Sequence, residues 1–190
     1  MKLFKKLIGE NIYLSPPTVD EEILEKFTKW INDFQITDYT GRSACIMTIE
    51  GEKRWFENQN TDTDQIFFIV RHEDDKLIGS IGLHSIDNIN KSATLGIFIG
   101  DKSGRNKGYG TEALRLILDY GFNYLNLNNI KLDVMEFNER AIACYKKCGF
   151  KEYGRRRKCY FLNGKYYDKI EMDILAEEFE GDYIKNKNIK

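Results

Sequence analysis

Gly104-Arg105-Asn106-Lys107-Gly108-Tyr109-Gly110-Thr111 separates an apolar, β-branched run, Ala93 to Ile99, from the set Ala113, Leu114, Ile117, Leu118, Gly121, Phe122 and Leu125, which recurs at helical spacing. Glycines at 108 and 110 let the backbone approach a ligand closely and take positive φ. The first turn of the following helix leaves N–H donors unused and carries about half a positive charge. Arg105 and Lys107 add to that field, so the segment predicts a loop that holds a phosphate group. A Walker loop needs Gly-Lys-Ser/Thr after its spacers, and that triplet is absent. A dinucleotide fingerprint is matched superficially by Gly108, Gly110 and Ala113, with Asp133 twenty residues beyond.

The neighbouring segments decide between these readings. Before the loop, Ile66 to Val70, Leu77 to Leu83 and Ala93 to Ile99 are apolar runs separated by polar turns at Glu73 to Lys76 and Asp87 to Lys91, the pattern of an antiparallel meander. After the helix, Ile130 to Met135 alternates as a strand, Asn138 suits the N-cap of a helix through Lys147, and Gly149 follows at a C-terminal position. Tyr160 to Tyr166 presents Asn163-Gly164 between strand-like runs, a strong hairpin signal. A dinucleotide fold would open with the glycine loop and continue in strand–helix repeats, so the order of elements argues against one.

Further toward the N-terminus, Thr18 to Glu21 reads as a capping box for a helix over about 18–31, and a shorter helix is expected from Glu52 to Asn60, anchored by Trp55 and Phe56. The tail from about residue 177 is polar and expected to fray. With 190 residues and 42% hydrophobic content the chain is expected to form a single domain. Its 29 basic and 30 acidic residues balance to a net charge of -1, which gives no field for nucleic acid or an anionic membrane. No apolar run approaches the roughly 20 residues of a membrane span. Met1 to Glu10 has only a very short apolar core, so no signal peptide is expected, and a reduced, cytoplasmic setting follows for Cys45, Cys144, Cys148 and Cys159. No second Cys pair or His stands at zinc-ligand spacing, so no metal is expected.

Arg105-Asn-Lys-Gly108-Tyr-Gly110 resembles the cofactor loop of the GNAT superfamily, Gln/Arg-x-x-Gly-x-Gly/Ala. Trp30-Ile-Asn32-Asp33, Tyr109-Gly-Thr-Glu-Ala113, Asn138-Glu-Arg-Ala141 with Tyr145, Gly149-Phe150 and Gly164-x-x-x-Asp168-x-x-x-Met172 extend the likeness over about residues 10–176, toward the branch of ribosomal-protein and spermidine N-acetyltransferases. The resemblance implies an α/β (α+β) fold with a mixed, mostly antiparallel sheet whose central strands splay apart, flanked by helices. It implies acetyl-CoA as co-substrate and an amine as acceptor. The pantetheine arm is then held by backbone amides of Phe98, Ile99 and Gly100, and the pyrophosphate by those of Arg105, Asn106, Lys107, Gly108, Tyr109, Gly110 and Thr111. Asn138 is implied to contact the cofactor near the thioester, and Tyr145 to act as general acid for the leaving thiolate. Relatives are often dimers, and the final hairpin is where such pairing is expected.

Attack of an amine on a thioester needs a neutral amine, a polarised carbonyl and a proton for sulfur. A tyrosine is protonated at pH 7 and can serve sulfur. Relatives often carry a glutamate where this chain has Thr94, and threonine cannot take the amine's proton unaided. His84 and Asp87 are the substitutes, acting directly or through water. A lysine-like amine lies about 3.4 pH units from neutrality at pH 7, roughly 4.6 kcal/mol, against about 1.4 kcal/mol for an α-amine, so a missing base favours less basic acceptors. Two other readings remain: an idle acyl-CoA-binding module, and a dinucleotide-binding protein.

Overall fold

Alternation along Gln65–Arg71 sends Phe67 and Ile69 into one buried cluster and Phe68 and Val70 into another, so this strand lies between two cores. The protein is described from a computed structural model, over residues 2–186. In chain order the elements are β1 Leu7–Ile8, β2 Ile12–Ser15, α1 Glu21–Ile31, α2 Phe34–Thr37, α3 Ile49–Glu57, β3 Gln65–Arg71, β4 Leu77–Asp87, β5 Ser92–Ile99, α4 Tyr109–Asn123, β6 Asn129–Met135, α5 Glu139–Lys147, β7 Lys151–Leu162 and β8 Lys165–Leu175. They form an eight-stranded sheet in the order β1-β2-β3-β4-β5-β6-β8-β7. Neighbouring strands run antiparallel except β5 and β6, which are parallel.

On one face lie α4 and α5. Leu114, Ile117 and Leu118 of α4 pack there against Phe67, Leu83 and Ile130. Truncating one of these to alanine costs about 2–5 kcal/mol, because the rigid sheet beneath cannot close the void. On the other face, Phe27 and Trp30 of α1 and Phe56 of α3 meet Phe68, Val70 and Leu77. Phe27 holds edge-on contacts with Phe56 at 5.0 Å and Phe98 at 5.8 Å, which fix α1 and α3 over the strands.

The parallel pair is short. β5 and β6 are in register only at Ser92↔Asn129, Ala93↔Ile130 and Thr94↔Lys131. Beyond Thr94 the strands separate. Because β4 pairs with β5 through to Gly79↔Ile99 and β8 pairs with β6 through to Met135↔Lys169, closing the gap would break one of these ladders.

The capping box expected at Thr18 does not form. Thr18 Oγ1 donates to the Lys2 carbonyl, and Asp20 caps α1 instead by accepting from the Glu22 amide. α3 begins earlier than expected, at Ile49, because Thr48 accepts from the Gly51 amide. The Asn163-Gly164 hairpin forms with φ of 47° and 80°, as a tight two-residue turn requires. The tail expected to fray is docked through residue 186, whereas residues 187–190 lie outside the described residues. Asp119, 0% exposed, accepts the amides of Tyr183 and Ile184 at 2.8 and 3.0 Å. The Lys185 amide donates to the Ile8 carbonyl at 2.7 Å.

Candidate active site

A cavity of about 1260 Å³ opens where β5 leaves β6. That exceeds the roughly 300–1,000 Å³ of ordinary single-ligand sites, so it has room for two reactants. Leu114, Cys144 and Tyr145 line it from the α4–α5 face, and Phe27, Ile31, Glu52 and Trp55 from the α1–α3 face.

The glycine loop closes the first of these sides. Gly108 is the N-cap of α4 with φ 84°, and no side chain caps this helix, whereas Asp20, Asp33, Thr48 and Asn138 cap α1, α2, α3 and α5. A Cβ at Gly108 or Gly110 would meet nothing within 4 Å. The first-turn amides therefore face open space with the helix dipole behind them, a fit for a phosphate group. Phe98, Ile99, Arg105, Asn106, Gly108, Gly110, Thr111 and Asn138 all contribute to the cavity wall.

Three residues expected to hold the cofactor, Lys107, Tyr109 and Gly100, do not line the cavity. Lys107 is exposed, and Tyr109 packs on the core beneath α4. Gly100 donates its amide to the Ile78 carbonyl at 3.0 Å, so that N–H is already used. A Cβ on Gly100 would lie 2.2 Å from the Trp30 ring; the glycine is there to admit an indole. Arg105 also turns inward, its Nε donating to the Ile99 carbonyl at 3.3 Å.

Tyr145 is 9% exposed, stacked edge-on against Phe150 at 5.8 Å, and lines the cavity. Burial, with smaller contributions from Cys144, Asp133 and Cys148, raises its pKa well above the ordinary tyrosine value, so its proton is held firmly at neutral pH. Thr111 Oγ1 lies 3.2 Å from Cys144 Sγ and links the start of α4 to the turn that carries Tyr145. Asn138 Oδ1 accepts the Ala141 amide, so its place in the wall comes with capping α5.

Across the gap, His84 of β4 pairs with Thr94 of β5, on the α1–α3 face. His84 Nδ1 lies 3.1 Å from Asp64 Oδ1, in the turn before β3. With Asp64 accepting, the proton sits on Nδ1 and Nε2 is left as an acceptor beside Gly96, where a Cβ would come within 3.3 Å of it. Asp64 is a residue that sequence reading missed, since nothing about an isolated turn aspartate announces a histidine on the strand after next. Asp87, the other expected base, is absent from the cavity wall: its carboxylate accepts the amides of Ile89 and Asn90 at 2.8 Å each, and these bonds lower its pKa. It shapes the β4–β5 turn.

Asp133, where a dinucleotide fold would bind ribose, is engaged by Lys169 at 2.7 Å and Arg156 at 3.4 Å in a mostly antiparallel sheet, which removes the dinucleotide reading. Arg155 likewise pairs with Glu136 and Asp168 at 3.0 and 3.2 Å, so Arg155 and Arg156 of the basic run are spent on ion pairs with neighbouring segments. Among the described residues no group of three or more His, Cys, Asp or Glu stands together as a metal site.

Residues 11–151 match the family model described as an acetyltransferase (GNAT) domain. The chain is 34% identical to the probable N-acetyltransferase YjcK of Bacillus subtilis (strain 168) over 92% of its own length and 99% of that protein. It is 36% identical to the spermidine N(1)-acetyltransferase of Vibrio cholerae serotype O1 over 59% of this chain and 64% of that one. Among solved structures, spermidine N-acetyltransferase from Vibrio cholerae in complex with CoA and spermine aligns with a TM-score of 0.79 and 26% identity, covering 88% of this chain and 97% of that one.

Proposed function

The chain belongs to the GNAT acetyltransferase family, and from that membership we propose that it moves the acetyl group of acetyl-CoA onto a primary amine by direct attack in a ternary complex. The observation that carries this reading is the cavity through the splayed sheet, roomy enough for two reactants and lined from both faces. CoA occupies the α4–α5 side, with its pyrophosphate on the amides of Arg105, Asn106, Gly108, Gly110 and Thr111 and its thioester beside Tyr145. The amine enters from the α1–α3 side. The Vibrio cholerae relative was solved in complex with CoA and spermine, which supports a fold that holds CoA and an amine at once.

The amine lone pair attacks the thioester carbonyl carbon, the C–S bond breaks, and the sulfur leaves with the electron pair. His84 Nε2 takes the proton lost by nitrogen, with Asp64 holding the ring and stabilising the imidazolium. Tyr145 donates a hydrogen bond to the departing sulfur. With its pKa raised by burial, full transfer of its proton to a thiolate of ordinary basicity, about 8.5, is uphill, so the phenol stabilises the charge and solvent supplies the net proton. The His84–Asp64 pair stands in for the glutamate that Thr94 replaces, so acceptors need not be weakly basic.

A thiol-release assay with acetyl-CoA against peptides with free N-termini, amino sugars and alkyl amines tests the reading. Turnover of an amine that falls in Tyr145→Phe and His84→Ala is expected. Acetyl-CoA binding with every amine silent would identify an idle module, and no binding at all would overturn the loop assignment.

A further inference from the structure

Glu52 of α3 is 2% exposed and lies in the cavity wall, yet its Oε2 atom accepts no hydrogen bond from any described residue. Asp119 shows how this fold ordinarily treats a buried carboxylate, with two backbone amides and the Asn123 amide on its oxygens. Glu52 has no such set. Arg42 lines the same cavity and its charge acts on Glu52, but the guanidinium is drawn over the Trp55 ring, 5.6 Å from its centroid, and closes no ion pair among the described residues. An ionised carboxylate walled by Phe27, Ile31 and Trp55 is costly without a partner, and burial accordingly raises its pKa.

The counter-charge must arrive through the cavity, on the acceptor side. We propose that Glu52 is a specificity-determining residue that receives a second cationic group on the acceptor, so that diamines are preferred over monoamines. This inference rests on the acetyl-transfer reading of the cavity. The reacting nitrogen has to be neutral, and His84 with Asp64 serves it from β4; a carboxylate on α3 is free for a nitrogen that keeps its charge. Trp55, one turn along the same helix, lines the cavity beside Glu52.

The test compares kcat/KM for α,ω-diaminoalkanes of three to eight carbons with the matched n-alkylamines, in the wild type, Glu52→Gln and Glu50→Gln, the last altering an exposed carboxylate of the same helix. A charge-assisted contact predicts a wild-type preference for the best diamine of about tenfold or more, expressed mainly in KM. That ratio is expected to fall to about 1 in Glu52→Gln and to persist in Glu50→Gln. No preference at any chain length in the wild type, or a preference retained in Glu52→Gln, overturns the proposal. Should the wild type acetylate no amine, the function proposed above fails instead. Calorimetric titration of 1,4-diaminobutane into the CoA-loaded protein then decides the role of Glu52: binding lost in Glu52→Gln upholds it, and equal binding overturns it.

Discussion

In the proposed mechanism Tyr145 and His84 approach the reacting centre from opposite faces of the sheet, and their substitution separates the roles assigned to them. Tyr145→Phe removes one hydrogen-bond donor and keeps the ring on Phe150, so kcat is expected to fall about 10²-fold with little change in melting temperature. Asp64→Asn keeps the size of the side chain but weakens its hold on Nδ1, and should cost about tenfold, less than His84→Ala; equal rates for wild type and Asp64→Asn would remove the pair from the mechanism. Glu52 gives a pH signature. Because its folded pKa is raised, the folded state binds more protons than the unfolded one above the ordinary glutamate pKa, so its contribution to stability declines as pH rises through the folded value and then levels. The difference in melting temperature between wild type and Glu52→Gln, followed from pH 4 to 8, should trace that decline. Tyr145 and Asn138 could be singled out as cavity residues because they sit in a local motif. Asp64 and Glu52 were not, since their significance comes from strands and helices that meet only in the folded chain, and a glutamate in a charged helix looks the same whether its face meets solvent or α1.

The start of α4 is the element whose sequence spoke most clearly, and it also separates folding from binding. Gly108 holds φ 84°, a conformation that costs a residue with a Cβ about 1–2 kcal/mol, so Gly108→Ala should lower the melting temperature by several degrees. Gly110 lies within the helix with open space where a methyl group would be added, so Gly110→Ala should leave stability unchanged or raise it by about 0.5–1 kcal/mol. The same methyl stands where the phosphate must approach, and the KM for acetyl-CoA should rise. A stabilised variant with unaltered KM would show that the phosphate lies elsewhere. Helix and strand positions were readable here because burial imposes its period on the apolar residues. The cap of α1 was misplaced because Thr18 and Asp20 are both good capping residues, and only packing chooses between them.

At the scale of the molecule, the two ends of the chain are tied together. Removal of residues 181–190 takes two amide donors from Asp119 and exposes the ground covered by Ile184, which is 5% exposed; the loss of stability is expected to reach at least about 2 kcal/mol in denaturant unfolding. A single isoleucine in a polar stretch carries no periodicity, so the sequence offered no sign of this docking. The splayed sheet has a different consequence, for the traffic of reactants. In the proposed ternary complex the thioester and the amine reach the reacting centre from opposite faces, so neither lies across the other's path. Addition is therefore expected to be random, with double-reciprocal plots that intersect and with a dead-end amine analogue that is noncompetitive against acetyl-CoA, where ordered binding of acetyl-CoA first would make it uncompetitive. Strictly ordered addition would mean that one face closes until the other is filled; a gap whose two edges are each paired, to β4 on one side and β8 on the other, leaves both doors open at once.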